Sequence, residues 1–152
     1  MTIKHRSKLG WLKSEHHDLL CEIAGLKGWW DSRDKAQAPN LGEMGRRVMN
    51  LHDRLASHFA KEEEGGCLTK AAELRPELAA NVAQLLKEHQ QFRSKTSKLA
   101  EKLARGDFRN VGQEEPWIEV QAILAALAEH EITENSVLAA AFGESYRDDE
   151  EE

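Results

Sequence analysis

The chain has 152 residues, a formal net charge of −6, 40% hydrophobic and 32% charged side chains, seven histidines, two cysteines and three prolines. This length and balance suit one compact domain and leave no room for a second of ordinary size. The last five residues, Asp148 to Glu152, are all acidic, which leaves 22 acids against 21 bases and a charge of −1 over residues 1–147. The sequence therefore reads as a single domain over 1–147 followed by an acidic, solvated tail over 148–152. A nearly neutral body with no basic arm lacks the phosphate-neutralising footprint of a nucleic-acid binder. The longest apolar run, Ala122 to Ala128, is too short to cross a bilayer, and the opening Met-Thr-Ile-Lys-His-Arg-Ser lacks the apolar core of a signal peptide. These features predict a cytoplasmic protein with no nucleic-acid or membrane partner, in which Cys21 and Cys67 are reduced thiols rather than a disulfide.

Pro39, Pro76 and Pro116 divide the chain into segments of 38, 36, 39 and 36 residues. Proline is tolerated near a helix start and disfavoured inside one, so this punctuation predicts four helices. In the first segment Leu9, Leu12, Leu19, Ile23, Leu26 and Trp30 recur in steps of three, four and seven, predicting a helix from about Ser7 to Trp30 with one buried stripe. Asn40 and Glu43 form a capping-box pattern ahead of a second helix, whose stripe of Leu41, Met44, Val48, Leu51 and Leu55 runs on towards Gly65-Gly66. After a linker with one helical turn, Pro76 opens a third helix with Leu78, Val82, Leu85, Phe92, Thr96, Leu99 and Leu103, closed by Gly106. Pro116 opens a fourth with Val120, Ile123, Leu127, Val137 and Ala141, closed by Gly143. No alternating β-branched run competes, so the expected fold is all-α, an up-down-up-down antiparallel four-helix bundle.

The gaps in these stripes carry the chemistry. His16 fills the position skipped between Leu12 and Leu19; His58 and Glu62 follow Leu55; His89 lies between Leu85 and Phe92; His130 and Glu134 lie between Leu127 and Val137. Six ionisable groups thus occupy positions that periodicity assigns to the core, where each costs several kcal/mol unless paired or bound to a metal. The two halves of the chain repeat this pattern. His16 to His89 spans 73 residues, His58 to His130 spans 72 and Glu62 to Glu134 spans 72, with Glu-His doublets at Glu15-His16 and Glu88-His89. The bundle is therefore a duplicated helix pair. At 1.5 Å per residue, His16 lies about 21 Å before Trp30 and His58 about 25 Å after Leu41, so the polar positions stand at matching heights in an antiparallel pair.

An H-x-x-x-E spacing alone is weak: seven histidines and 27 acids in 152 residues give about 1.2 such pairs by chance, against two here. Register with the core stripe and repetition across the halves make the pattern specific. Four imidazoles and two carboxylates meeting in a dry interior suit a pair of first-row transition metals with positions left open, whereas a structural zinc site is closed by four ligands. Of the other histidines, His17 faces about 100° away from His16, His52 borders the core at Leu51, and His5 precedes the first stripe. Trp29, Trp30, Phe92, Trp117 and Phe142 read as core or bundle-end packing, and Tyr146 lies past the fourth helix.

Histidines on two helices and H-x-x-x-E on the other two resemble the hemerythrin-like (HHE) family of cation-binding domains, over about Ser7 to Gly143. The resemblance implies a non-haem di-iron centre, with His16 and His58 on one iron, His89 and His130 on the other, and Glu62 and Glu134 bridging; zinc and manganese are the alternative metals. Oxygen-carrying hemerythrins are known for a fifth histidine four residues after the first on the third helix, and here that position is Arg93, read as a surface residue. The site then looks like the four-His, two-Glu variety, and oxygen transport is not the expected role. Glu131 and Glu63, each one residue off the stripe, read as solvated rather than as extra ligands. Three functions follow in order: a di-iron module that binds or senses a small ligand such as O₂ or NO, or handles iron; a di-iron redox enzyme acting on peroxide, O₂ or NO; and a zinc-bound or metal-free structural bundle.

Overall fold

The computed structural model describes residues 2–106 and 115–143, with side chains from Gly10 onward. Its elements are α1 (Thr2–Asp31), α2 (Leu41–Gly65), α3 (Cys67–Leu74), a 3₁₀ turn (Pro76–Leu78), α4 (Ala79–Arg105) and α5 (Glu115–Phe142), with no strand among the described residues. The molecule is an all-α helical bundle. The tail at Asp148 to Glu152, Tyr146 and the side chain of His5 lie outside the described residues.

Local chemistry sets the boundaries. The Asn40 side chain accepts a hydrogen bond from the Glu43 backbone N–H at 3.0 Å, satisfying one orphan donor of α2. Only half of the expected capping box forms, because the Glu43 carboxylate turns to Arg46 and Arg47 instead. Gly66 has φ 69°, and its N–H bonds the Glu62 carbonyl at 3.1 Å, closing α2 and letting the chain turn directly into α3. Gly106 ends α4 in the same left-handed conformation, at φ 70°. Three expectations need correction. The first helix begins at Thr2 rather than near Ser7; the stretch read as one helical turn is an eight-residue helix, α3; and Pro76 opens a 3₁₀ turn that leads into α4 at Ala79. The α3 helix forms because Cys67, Leu68 and Ala71 share an apolar face that an isolated turn would leave in water.

The buried apolar residues fall into two clusters. The larger includes Leu19, Leu26, Met44, Leu51, Leu55, Phe59, Phe92, Leu103 and Leu127, and it ends in Trp30 stacked on Trp117 at 4.7 Å. The smaller gathers Leu12, Leu85, Val137 and Leu138 around Cys67, Leu68 and Ala71 of α3. On α1, α4 and α5 the predicted polar positions lie between a residue of one cluster and a residue of the other, and on α2 they follow the last residues of the larger cluster just before α3 adds to the smaller. The His/Glu residues therefore form a layer that splits the core in two, with α3 covering one end.

The helices α2 and α4 share the most extensive packing. They pack tightly at Gly45, where a Cβ would lie 3.2 Å from Leu103 Cβ and 3.4 Å from the Ala100 carbonyl oxygen. A larger side chain there must push α4 away, so Gly45→Leu is expected to lower stability by about 1–3 kcal/mol. At Gly25 a Cβ meets nothing within 4 Å, and Gly25→Ala is expected to raise stability by up to about 1 kcal/mol through helix propensity alone. Thermal or urea unfolding of both variants checks the contrast; equal effects would contradict the close contact.

Candidate metal centre

All six predicted positions are buried: His58, His89 and Glu134 are 0% exposed, His130 2%, Glu62 3% and His16 9%. They converge as two groups of donor atoms, one from His16, His58, Glu62 and Glu134 and one from His89, His130 and Glu134, each with its atoms within 4.8 Å of one another. Glu134 belongs to both. Its Oε1 lies 2.8 Å from His16 Nε2, and its Oε2 lies 3.3 Å from His130 Nε2 and 3.9 Å from His89 Nε2. Glu62 likewise stands between the halves, with Oε1 3.2 Å from His58 Nε2 and 3.5 Å from His89 Nε2, and Oε2 3.4 Å from His16 Nε2. The two carboxylates thus occupy the centre and the four imidazoles surround them.

The inward atoms are short of hydrogen-bond partners. Among the described residues, His58 Nε2, His89 Nε2, His130 Nε2, both oxygens of Glu62 and Oε2 of Glu134 are buried without one. Orphaned buried polar atoms are rare and costly. Here they are the metal-ligating atoms of two residue types and they face one another, as the donor set of a metal site does.

The outward edges of two imidazoles are fixed instead. His89 Nδ1 donates to Glu63 Oε2 at 2.8 Å and His130 Nδ1 donates to Glu88 Oε1 at 2.7 Å. A carboxylate can only accept, so the proton sits on Nδ1 and the Nε2 lone pair points inward. A carboxylate in this position orients an imidazole and raises the basicity of its inward nitrogen. Arg93 completes one of these pairs: its guanidinium lies 3.3 Å from Glu63 and above the Phe59 ring. Phe59 in turn stacks on His89 at 4.0 Å. Partial burial pushes the Glu63 carboxyl up, but hydrogen bonds from Arg93 and His89 outweigh it and hold it below the usual range. Glu88 is held low in the same way by His130 and Gln84.

Three expectations change here. Arg93 is not a free surface residue but the clamp on Glu63, and Glu63, though exposed as expected, also holds His89. Glu131 is not solvated: its side chain is 13% exposed and its Oε2 lies 3.3 Å from His16 Nε2. The doublet Glu88-His89 was the one sequence signal for the outer carboxylate on His130. Its counterpart in the first half, Glu15, pairs with Lys61 Nζ at 2.6 Å, so the duplication does not extend to the outer partners. His17 is exposed and meets only Cys21 Sγ at 3.6 Å, and His52 bonds Thr96 Oγ1 at 2.9 Å; neither enters the cluster.

A cleft of about 360 Å³ between α4 and α5 reaches His130, lined also by Glu88, Phe92, Lys95, Ala126 and Thr133. No helix of the described residues is long and apolar enough to cross a membrane.

In the metal-free state the crowded carboxylates must share protons. Burial and the neighbouring Glu134 carboxylate push Glu62 up to about 10, while the close approach of Glu62, His130 and His16 overcomes burial and holds Glu134 well below the ordinary value. Burial opposes a charge on His16, but Glu134, Glu62 and Glu131 outweigh it and raise His16 to about 10. Burial and the charge of His16 lower His58 to about 3, so its ring is neutral. Burial and Glu134 raise Glu131 to about 7. The folded chain therefore keeps protons on His16 and Glu62 that the unfolded chain releases at their lower, ordinary values. Stability from these two groups is lost as pH rises through the folded values. Metal-free protein is expected to melt at progressively lower temperature as pH is raised from 7 to 10; a rise in melting temperature over that window would contradict this protonation pattern.

Comparison with curated proteins and with solved structures returned no match. The family model of the hemerythrin HHE cation-binding domain matches residues 7–142, a span that contains all six clustered ligand candidates and all five α-helices but for the first residues of α1. With a helical bundle and a buried four-His, two-Glu cluster already in place, that match settles the relationship: the chain belongs to the hemerythrin HHE cation-binding domain family.

Proposed function

We propose that this chain is a non-haem di-iron-binding protein that binds or senses a small ligand such as O₂ or NO, or handles iron. The single observation that carries the reading is Glu134, one buried carboxylate shared by two groups of ligand atoms. A carboxylate with donors on both sides is what bridges two cations, and iron is favoured by a mixed imidazole and carboxylate set together with the family. In this reading His16 and His58 hold one iron, His89 and His130 hold the other, and Glu62 and Glu134 bridge them. Zinc or manganese in the same positions is the alternative loading.

A bound iron pair supplies Lewis-acid and one-electron redox chemistry. The chain's own contribution is orientation and exclusion. Glu63 and Glu88 fix the His89 and His130 rings, Arg93 keeps Glu63 in place, and the apolar clusters on both sides of the polar layer keep bulk water out. The cleft between α4 and α5 ends at His130, on the side of the second iron. Cys21 and Cys67 form no disulfide with each other, which fits the reducing cytoplasm, and no nucleic-acid partner is part of the proposal.

Metal analysis of protein reconstituted anaerobically with Fe(II) tests the reading. Wild type and His17→Ala are expected to hold about two irons per chain, and Glu62→Ala and Glu134→Ala fewer, with loss of the magnetic coupling between the ions. Wild type without a bound transition metal, or equal loss in His17→Ala, would contradict it.

A further inference from the structure

The proposed centre leaves Glu131 unused, and its position is not that of a surface glutamate. It follows His130 on α5, but its side chain turns across to α1 rather than out to water, with 13% of its surface exposed and Oε1 buried without a hydrogen-bond partner. Its other oxygen, Oε2, lies 3.3 Å from His16 Nε2.

The surroundings of His16 Nε2 are the reason to look further. Three carboxylates approach this one nitrogen: Glu134 at 2.8 Å, Glu131 at 3.3 Å and Glu62 at 3.4 Å. A ring nitrogen carries at most one proton and directs it along one line, so a hydrogen bond from Nε2 serves only one of the three well. A shared cation serves all of them. With donors about 2.1 Å from an ion, adjacent ligands in octahedral geometry are about 3.0 Å apart. The separations from His16 Nε2 to Glu134, Glu131 and Glu62 all cluster around that value, and so do His58 to Glu62 at 3.2 Å and His130 to Glu134 at 3.3 Å. Towards His16 Nε2, Glu131 stands at the same separation as Glu62, although its oxygens lie outside the two tight groups of ligand atoms.

Resting on the reading of the cluster as a two-metal centre, we propose that Glu131 is a seventh protein ligand, a terminal carboxylate on the ion held by His16 and His58. The two ions are then inequivalent. One has His16, His58, Glu131 and the two bridging carboxylates; the other has His89, His130 and the bridges, and it keeps more positions for a small ligand on the side reached by the cleft at His130. The helix α5 serves both ions, His130 on one and Glu131 on the other, because adjacent residues on a helix point about 100° apart.

Cobalt(II) loading tests the assignment, since its d–d absorption reports coordination number ion by ion and requires no turnover. In wild type, two cobalt ions per chain with two distinct band sets are expected. In Glu131→Gln the stoichiometry stays at two, the bands of one ion intensify as it loses a ligand, and a competing chelator removes that ion about tenfold more readily. Glu131→Ala is expected to behave in the same way, and helical circular dichroism of both metal-free variants to match wild type. Unchanged bands and unchanged chelator release in both variants would overturn the ligand role while leaving the two-metal reading intact, as would equal changes at both ions. Wild type that takes up no cobalt and no iron would instead sink the two-metal reading itself.

Discussion

The structure turns on the cost of placing four imidazoles and two carboxylates in the middle of an apolar bundle. An ionised side chain removed from water is destabilising by several kcal/mol after relaxation, and mutual attraction offsets that only when the geometry is good and the remaining lone pairs are satisfied. Here they are not all satisfied: the inward nitrogens and oxygens face one another across a centre that hydrogen bonds alone do not fill. Everything else in the fold can be understood as keeping that layer intact. Apolar residues on either side bury it, α3 covers one end, and stacked Trp30 and Trp117 close the other. Removing water strengthens every electrostatic interaction within, and it also leaves the chain dependent on protons or cations to neutralise its carboxylates.

Orientation is divided unevenly between the two halves. In the second half, His89 and His130 each donate a hydrogen bond from Nδ1–H to a carboxylate on another helix, so their rings are fixed before any cation arrives. In the first half, Glu15 is drawn off by Lys61, and both nitrogens of His58 lack a partner. The sequence duplication therefore produced equivalent inward residues and non-equivalent support. Such asymmetry would suit the proposed pair of ions, one held by more carboxylate and the other on the side of His130.

How much of this was legible in the sequence depended on where each side chain points. The six inward residues were readable because helical periodicity fixes which positions face the core, and an ionisable residue at such a position conflicts with the stripe around it. The two halves agreeing in spacing then singled out the set. The turn of Arg93 and Glu131 away from water, and the contact of the exposed Glu63 with His89, were not legible because each sits one position off a stripe, at an angle that faces either water or the next helix. Which of these it faces depends on how neighbouring helices are placed, and periodicity within one helix carries no information about that. The helix α3 was missed for a related reason: eight residues are too few for a periodic signal, and its stability comes from covering Leu12, Leu85 and Leu138 rather than from its own propensity. Gly66, Gly106 and the Asn40 cap were all legible, since their effect is local.

The proposal that one buried carboxylate stands between two cations can be checked by anomalous diffraction at the iron edge from crystals of the iron-loaded protein. Two peaks about 3.5–4 Å apart are expected, one on the side of His16 and His58 and one on the side of His89 and His130, with Glu134 in ligand contact with both. A single peak, or two peaks of which only one touches Glu134, would contradict it.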